Sequence, residues 1–217
     1  MAMTYSTLVS DKQTDGSIRN WVNWDPSPAE TILTEAQGFV YSRLRTREMS
    51  LFSLSGLSLP TGNSTLAMPA DYIAIKSLDT LTPWKSRVDL LDEEYFIRDF
   101  RAVDDTGALY EGQPSVCSII GDPATAYFDV RADQPYTFTL AYYGRPPDLS
   151  ETNETNWLTR RYPHLLRAAC NYFAFLHKKE QQAAQEQRAL AVAFIDDANI
   201  EKDMEAQARR FEPYWRS

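Results

Sequence analysis

Apolar residues recur with a helical period at both ends of this 217-residue chain and with a strand period in its middle. The N-terminal helix is the best marked. Ser27-Pro28-Ala29-Glu30 combines a capping box with proline at the first helical position. The Ser27 hydroxyl can accept the orphan amide of Glu30, and the Glu30 carboxylate can accept the Ser27 amide. Ile32, Leu33, Ala36, Phe39, Val40 and Leu44 then fall on one face of a 3.6-residue period, which predicts a helix over 28–48. Gly38 lies in its interior, at a cost of about 1 kcal/mol against alanine. A weaker helical stretch precedes it, with Leu8, Val9, Ile18, Trp21 and Val22 as core residues and Asp15-Gly16 as a break.

Residues 50–65 are rich in Ser, Gly and Thr and read as a loop. Strands are expected at 72–76, 116–120 and 126–130, with Gly121-Asp122-Pro123 as a turn. At 136–142, Tyr136, Phe138, Leu140 and Tyr142 alternate with Thr137, Thr139 and Ala141, the pattern of a half-buried antiparallel strand. A short helix is expected at 92–100. Pro146-Pro147 closes the strand region, and 153–156 is a polar linker. From 163 to 177 the chain is apolar almost all round, as in a helix packed between partners. The stretch 178–187 holds no Gly or Pro to mark a turn. A last helix, about 186–210, carries Leu190, Phe194, Ile200 and Met204 as its larger apolar residues. The pattern predicts an α+β chain, mainly an α-helical bundle with a small antiparallel β-domain inserted in the middle. Its parts are 1–65 (helical), 66–155 (β-rich) and 156–217 (helices and tail), forming one integrated domain.

A chain of this length buries about 70% of its unfolded surface, enough for a core without staples. Hydrophobic residues at 43% and charged residues at 24% exclude a disordered or fibrous chain. The longest apolar run, 189–195, is far too short for a membrane helix. Residues 1–10 lack a basic region followed by an apolar stretch, so no secretory signal is expected. Cys117 and Cys170 both lie among apolar neighbours and read as buried free thiols. The net charge is −8, unevenly spread. Residues 66–155 hold 7 basic and 16 acidic groups, a net of −9, whereas 156–217 are +2. A protein that reads DNA sequence carries a basic stripe instead, so sequence-reading is not expected, and an acidic surface that DNA slides past is left open.

Motifs for chemistry are missing. His164 and His177 stand thirteen residues apart, not at the spacing of a helical zinc pair, and His177 with Glu180 offers only two ligands. No glycine-rich phosphate loop and no Gly-x-Ser-x-Gly elbow occur. The acidic pairs Glu93-Glu94, Asp104-Asp105 and Asp196-Asp197 are sequence neighbours, which point apart on a helix or strand. No catalytic residue, metal ligand or cofactor site is assigned. Arg43, Arg45 and Arg47 sit where cations complement a helix C-terminus, and the alternative is intersubunit salt bridges. The tail holds Arg209, Arg210, Phe211, Tyr214, Trp215 and Arg216, residue types that dominate interface hot spots. It docks either on the chain's own core or on another protein.

The order of these pieces resembles that of the head-to-tail adaptor proteins of tailed bacteriophages, the connector subunits beneath the portal. Four stretches carry the likeness: Trp21-Val22-Asn23; residues 36–49, ending Arg43-Leu44-Arg45-Thr46-Arg47-Glu48-Met49; Met68-Pro69-Ala70-Asp71-Tyr72-Ile73; and Leu140-Ala141-Tyr142-Tyr143 leading into Thr155-Asn156-Trp157-Leu158 and the helix at Pro163. The resemblance implies a helical bundle carrying a small β-domain and a homo-oligomeric ring of about twelve subunits. It implies no enzymatic activity. Its partners would be the portal protein above, tail or nozzle proteins below, and DNA passing without sequence-specific contact. Such a protein assembles in the cytoplasm of the bacterial host and ends at the head–tail junction of the virion. Under this reading Arg209, Arg210, Phe211, Tyr214, Trp215 and Arg216 form a portal-docking arm, and Arg43, Arg45 and Arg47 lie between subunits. Two rival readings stand beside it: an acidic cytosolic protein–protein interaction module unrelated to virions, and an enzyme with a site built from scattered carboxylates, which no motif supports.

Overall fold

The computed structural model describes residues 3–24, 28–100, 103 and 107–210, without the side chains of 53–56 and 202–210. The chain divides into two compact units, one of residues 1–49 with 146–217, the other of Ser50–Arg145.

The first unit is helical. Two short helices, α1 (Tyr5–Val9) and α2 (Ile18–Trp21), are capped by Thr4 and Ser17, whose hydroxyls accept the amides of Thr7 and Asn20. Between them Gly16 takes a φ of 90°, which only glycine adopts freely, so the break expected at Asp15-Gly16 is present. Leu8, Ile18 and Val22 are buried, as their spacing predicted.

Helix α3 (Ala29–Arg43) buries Ile32, Leu33, Ala36 and Val40. The Ser27 half of the expected cap lies outside the described residues. The helix ends sooner than its apolar pattern suggests, because a tertiary contact takes over its terminus. The Asn199 side chain accepts the Arg45 amide at 2.8 Å and donates to the Arg43 carbonyl at 3.3 Å, drawing Leu44 into an extended conformation. Helix α5 (Trp157–Arg161) starts from the polar linker through a reciprocal cap between Asn156 and Thr159, and Asn156 Nδ2 also donates to the buried Tyr41 hydroxyl at 3.0 Å.

Helix α6 (Pro163–His177) packs against α2, α3, α5 and the long α7 (Gln181–Arg210), which covers much of its apolar surface but leaves Leu176 40% exposed. Lys179, at φ 64°, makes the turn into α7 without a glycine. The seam of α7 against α6 is built from Ala184, Ala191, Ala198 and Ile195. Alanines seven residues apart keep one narrow face small, so the helices approach closely.

The second unit is a seven-stranded sheet. Its strands are β1 (Ser50–Leu59), β2 (Thr65–Ala67), β3 (Tyr72–Thr82), β4 (Ser86–Leu90), β6 (Val116–Ile120), β7 (Thr125–Phe128) and β9 (Tyr136–Gly144), in the order β1-β9-β3-β4-β6-β7-β2. All neighbours are antiparallel except β4 and β6. A separate parallel pair joins β5 (Glu111–Gly112) to β8 (Arg131–Ala132). The short helix expected at 92–100 is α4 (Glu93–Tyr95), capped by Asp92 and continued as a π-turn through Phe100. Tyr136, Phe138, Leu140 and Tyr142 point into the core with Leu59, Leu78, Val88, Cys117 and Phe128. Register shifts in β1 and β3 bend those strands, and the sheet curls into a half-barrel.

This corrects the expectation of a mainly helical bundle with a small antiparallel insertion. The fold is a mixed α+β one, in which the curled sheet is a complete unit with its own core. The difference begins at β1. Its serines and Gly56 resemble a loop in composition, yet Leu57-Ser58-Leu59 already alternates, and Leu59 is fully buried.

Candidate assembly surfaces

The side chains that could carry function lie in three settings: the end of α3, the outward face of α7, and the surface of the β unit. At the end of α3, Arg43 lies over the Phe39 ring at 4.2 Å and donates to the Phe39 carbonyl at 3.3 Å and to Ser42 Oγ at 3.1 Å. Arg45 donates to the carbonyls of Leu44 (2.7 Å), Tyr41 and Ser42 (each 3.1 Å). Arg45 therefore satisfies orphan carbonyls of the helix terminus, whereas the Phe39 carbonyl that Arg43 reaches already lies within the helix ladder. Arg47 is exposed in the following 3₁₀ turn (Arg47–Met49) and meets no acid among the described residues.

Beside them a charged cluster ties α3's exit to α5 and α7. The Arg161 guanidinium contacts Glu48 and, at 3.0 Å, Glu201, whose carboxylate also accepts from the Tyr162 hydroxyl at 3.3 Å. Burial works to raise the Glu48 pKa. Its own backbone amide, the Thr46 hydroxyl and Arg161 outweigh that and hold it below the ordinary carboxylate value. The Tyr162 phenol is pushed up to about 12, by burial first and then by the two carboxylates, against the opposing pull of Arg161. His177 pairs with Glu35 on α3 at 2.9 Å rather than with Glu180.

On α7 three of the larger apolar residues named from sequence lie off the seam, Leu190 at 48% exposed, Phe194 at 38% and Ile200 at 56%, and the side chain of Met204 lies outside the described residues. Asp196 and Asp197 are exposed beside them. Arg209 and Arg210 end the helix, and Phe211, Tyr214, Trp215 and Arg216 lie outside the described residues.

The β unit presents the acidic α4, where Asp92, Glu93 and Glu94 are exposed together with Tyr95 and Ile97. Several of its other acids are structural. Asp71 accepts from the Tyr142 hydroxyl (3.1 Å), Asp129 from Ser115 (2.9 Å) and Asp133 from Tyr136 (2.7 Å). Asp104 and Asp105 lie outside the described residues. A cleft of about 470 Å³ is lined by Met68, Pro69, Tyr72, Ile73, Ile119 and Pro123. Cys117 and Cys170 are free and buried; burial, with the charge of Asp129, pushes the Cys117 thiol up to about 12. Thiols so far from ionisation are poor nucleophiles. Among the described residues no group of three or more His, Cys, Asp or Glu could hold a metal ion, and no helix is long and apolar enough to cross a membrane.

A family model described as SU10 adaptor protein matches residues 3–213, nearly the whole chain. The chain belongs to that family. The family is one of bacteriophage head-to-tail adaptors, and the role it carries is structural: this adaptor is a virion component. No curated protein matches the chain. The reading as an interaction module unrelated to virions gives way to this assignment.

The stretches that carried the likeness have identifiable tasks in this adaptor. Trp21 lies under the Arg167 guanidinium at 5.0 Å, and Asn23 turns the chain at φ 48°. Residues 36–49 form the end of α3 and its arginine exit. Met68, Pro69, Tyr72 and Ile73 line the cleft. Leu140 and Tyr142 sit in the sheet core, and Asn156 caps α5. Sequence reasoning missed the outward direction of Leu190 and Phe194. The seven-residue spacing of Ala184, Ala191 and Ala198 was the signal that could have revealed it.

Proposed function

We propose that this adaptor assembles as a ring of about twelve copies beneath the portal, extends the DNA channel and gives the tail its attachment platform, without enzymatic activity. The family match over residues 3–213 is the observation that carries this reading. Assembly takes place in the cytoplasm of the bacterial host. The acidic surface of the middle part, which includes the exposed Asp92, Glu93 and Glu94, lines the channel or the outer rim. Like charge keeps DNA from adhering, since phosphate binding requires basic groups that release counterions. Arg43, Arg45 and Arg47 lie at the contact between subunits, where Arg47 is the cation with the fewest local ties.

The portal is engaged by the C-terminal arm. Phe211, Tyr214 and Trp215 are its apolar anchors, and Arg209, Arg210 and Arg216 are its charge partners. Aromatic anchors bury on the order of 150–250 Å² each, and arms repeated around a ring add by avidity. Deleting 209–217 is expected to abolish co-sedimentation with purified portal while leaving the monomer's melting temperature unchanged. Retained portal binding with a destabilised monomer would show that the tail packs on its own chain instead.

A further inference from the structure

The outward face of α7 has a shape and charge that the same chain answers elsewhere. Glu186, Leu190, Phe194 and Asp197 recur at spacings of four, four and three residues, so they share one helix face. Two exposed apolar side chains are thus framed by two acids. Leu190 and Phe194 are large and flank the buried seam of Ala184, Ala191, Ile195 and Ala198. On the folded chain 48% of Leu190 and 38% of Phe194 stay open to a partner.

The outward face of α3 is its counterpart. Thr31, Thr34, Gly38 and Ser42 recur at spacings of three, four and four and are exposed or half-exposed. The Thr34 and Ser42 hydroxyls donate to the carbonyls of Glu30 and Phe39, both at 2.9 Å, so this face is flat and needs no polar partner. Gly38 is the telling residue. Glycine inside a helix destabilises it relative to alanine, and a Cβ added at Gly38 would meet nothing within 4 Å. Nothing in the chain's own packing calls for glycine there. Arg43 and Arg47, exposed where the chain leaves α3, are opposite in sign to the acids framing the ridge.

We infer that the Leu190–Phe194 ridge of one copy seats on the Gly38 groove of the next, with Glu186 or Asp197 reaching Arg43 and Arg47. Ridge and groove are different surfaces, so the contact is heterologous and propagates from copy to copy; it closes into a ring when the rotation allows. This rests on the self-assembly proposed above, and it names the surfaces that perform it.

The test compares the full-length chain with Gly38→Leu, Gly38→Ala and Phe194→Ser by sedimentation velocity across a broad concentration range, alone and with portal, alongside thermal melts. The contact predicts that Gly38→Ala melts about 2–4 °C higher yet associates more weakly. It predicts that Gly38→Leu loses association by tenfold or more while melting no lower than the parent, and that Phe194→Ser loses association to a similar degree. Variants that associate like the parent would overturn the contact and leave self-assembly standing. A parent chain that stays monomeric at every concentration and binds portal as a single copy would overturn both.

Discussion

Single residues in this adaptor mostly serve to fasten chain ends. Asn199 holds the exit of α3 through both groups of its amide, and Asn156 caps α5 while satisfying the buried Tyr41 hydroxyl. Glu48 offers the clearest pH-dependent fastening. Its folded-state pKa lies below the ordinary 4.5, so it binds fewer protons folded than unfolded near that pH. Its contribution is complete above the unfolded value and disappears as pH falls through the folded one. The Arg161 side chain is 38% exposed, so screening limits the gain. Glu48→Gln is expected to cost about 1 kcal/mol at neutral pH, by urea denaturation, and less at pH 3. An equal loss at both pH values would show that packing, not charge, explains the effect.

At the scale of elements, the α6–α7 hairpin reverses the usual assignment of large apolar residues to the inside. The seam is built from three alanines and Ile195, so Ala191 is buried while its neighbour Leu190 is exposed. Two substitutions one residue apart should therefore behave in opposite ways. Ala191→Leu overpacks the seam and is expected to cost about 1–3 kcal/mol. Leu190→Ala is expected to stay within about 0.5 kcal/mol in the isolated chain. Chemical denaturation of both variants checks this, and a Leu190→Ala loss as large as that of Ala191→Leu would place Leu190 in the core.

The same hairpin shows what was legible beforehand. Helix α6 was readable from end to end because proline opens it and its apolar surface is continuous. The direction of Leu190, Phe194 and Ile200 was not readable, because helical period finds a large-residue face but cannot tell which face a neighbouring helix selects. Strand β9 was legible from its alternation. Strand β1 was not, because serine and glycine are loop formers until β9 pairs with them. The arginines at the end of α3 could be located from sequence, but their division between carbonyl capping and open exposure depends on where Leu44 leaves the helix.

At the scale of the whole molecule, the pattern is a chain whose cores are complete and whose surface still presents large apolar groups: Leu190, Phe194 and Ile200 in one unit, Phe52, Trp84 and Ile97 in the other. Such groups on a folded chain mark contacts with other proteins when they gather on one face. The structural role of the family gives those contacts a purpose, and the acidic surface at Asp92, Glu93 and Glu94 suits the proposed channel, which DNA would leave without adhering. The most direct measurement is the mass of the complex formed when the purified full-length chain is mixed with portal, read by native mass spectrometry. The account predicts a discrete assembly in which about twelve adaptors occupy each portal ring, with no smaller stable stoichiometry at saturation. A portal that takes up no adaptor, or one copy only, would contradict it.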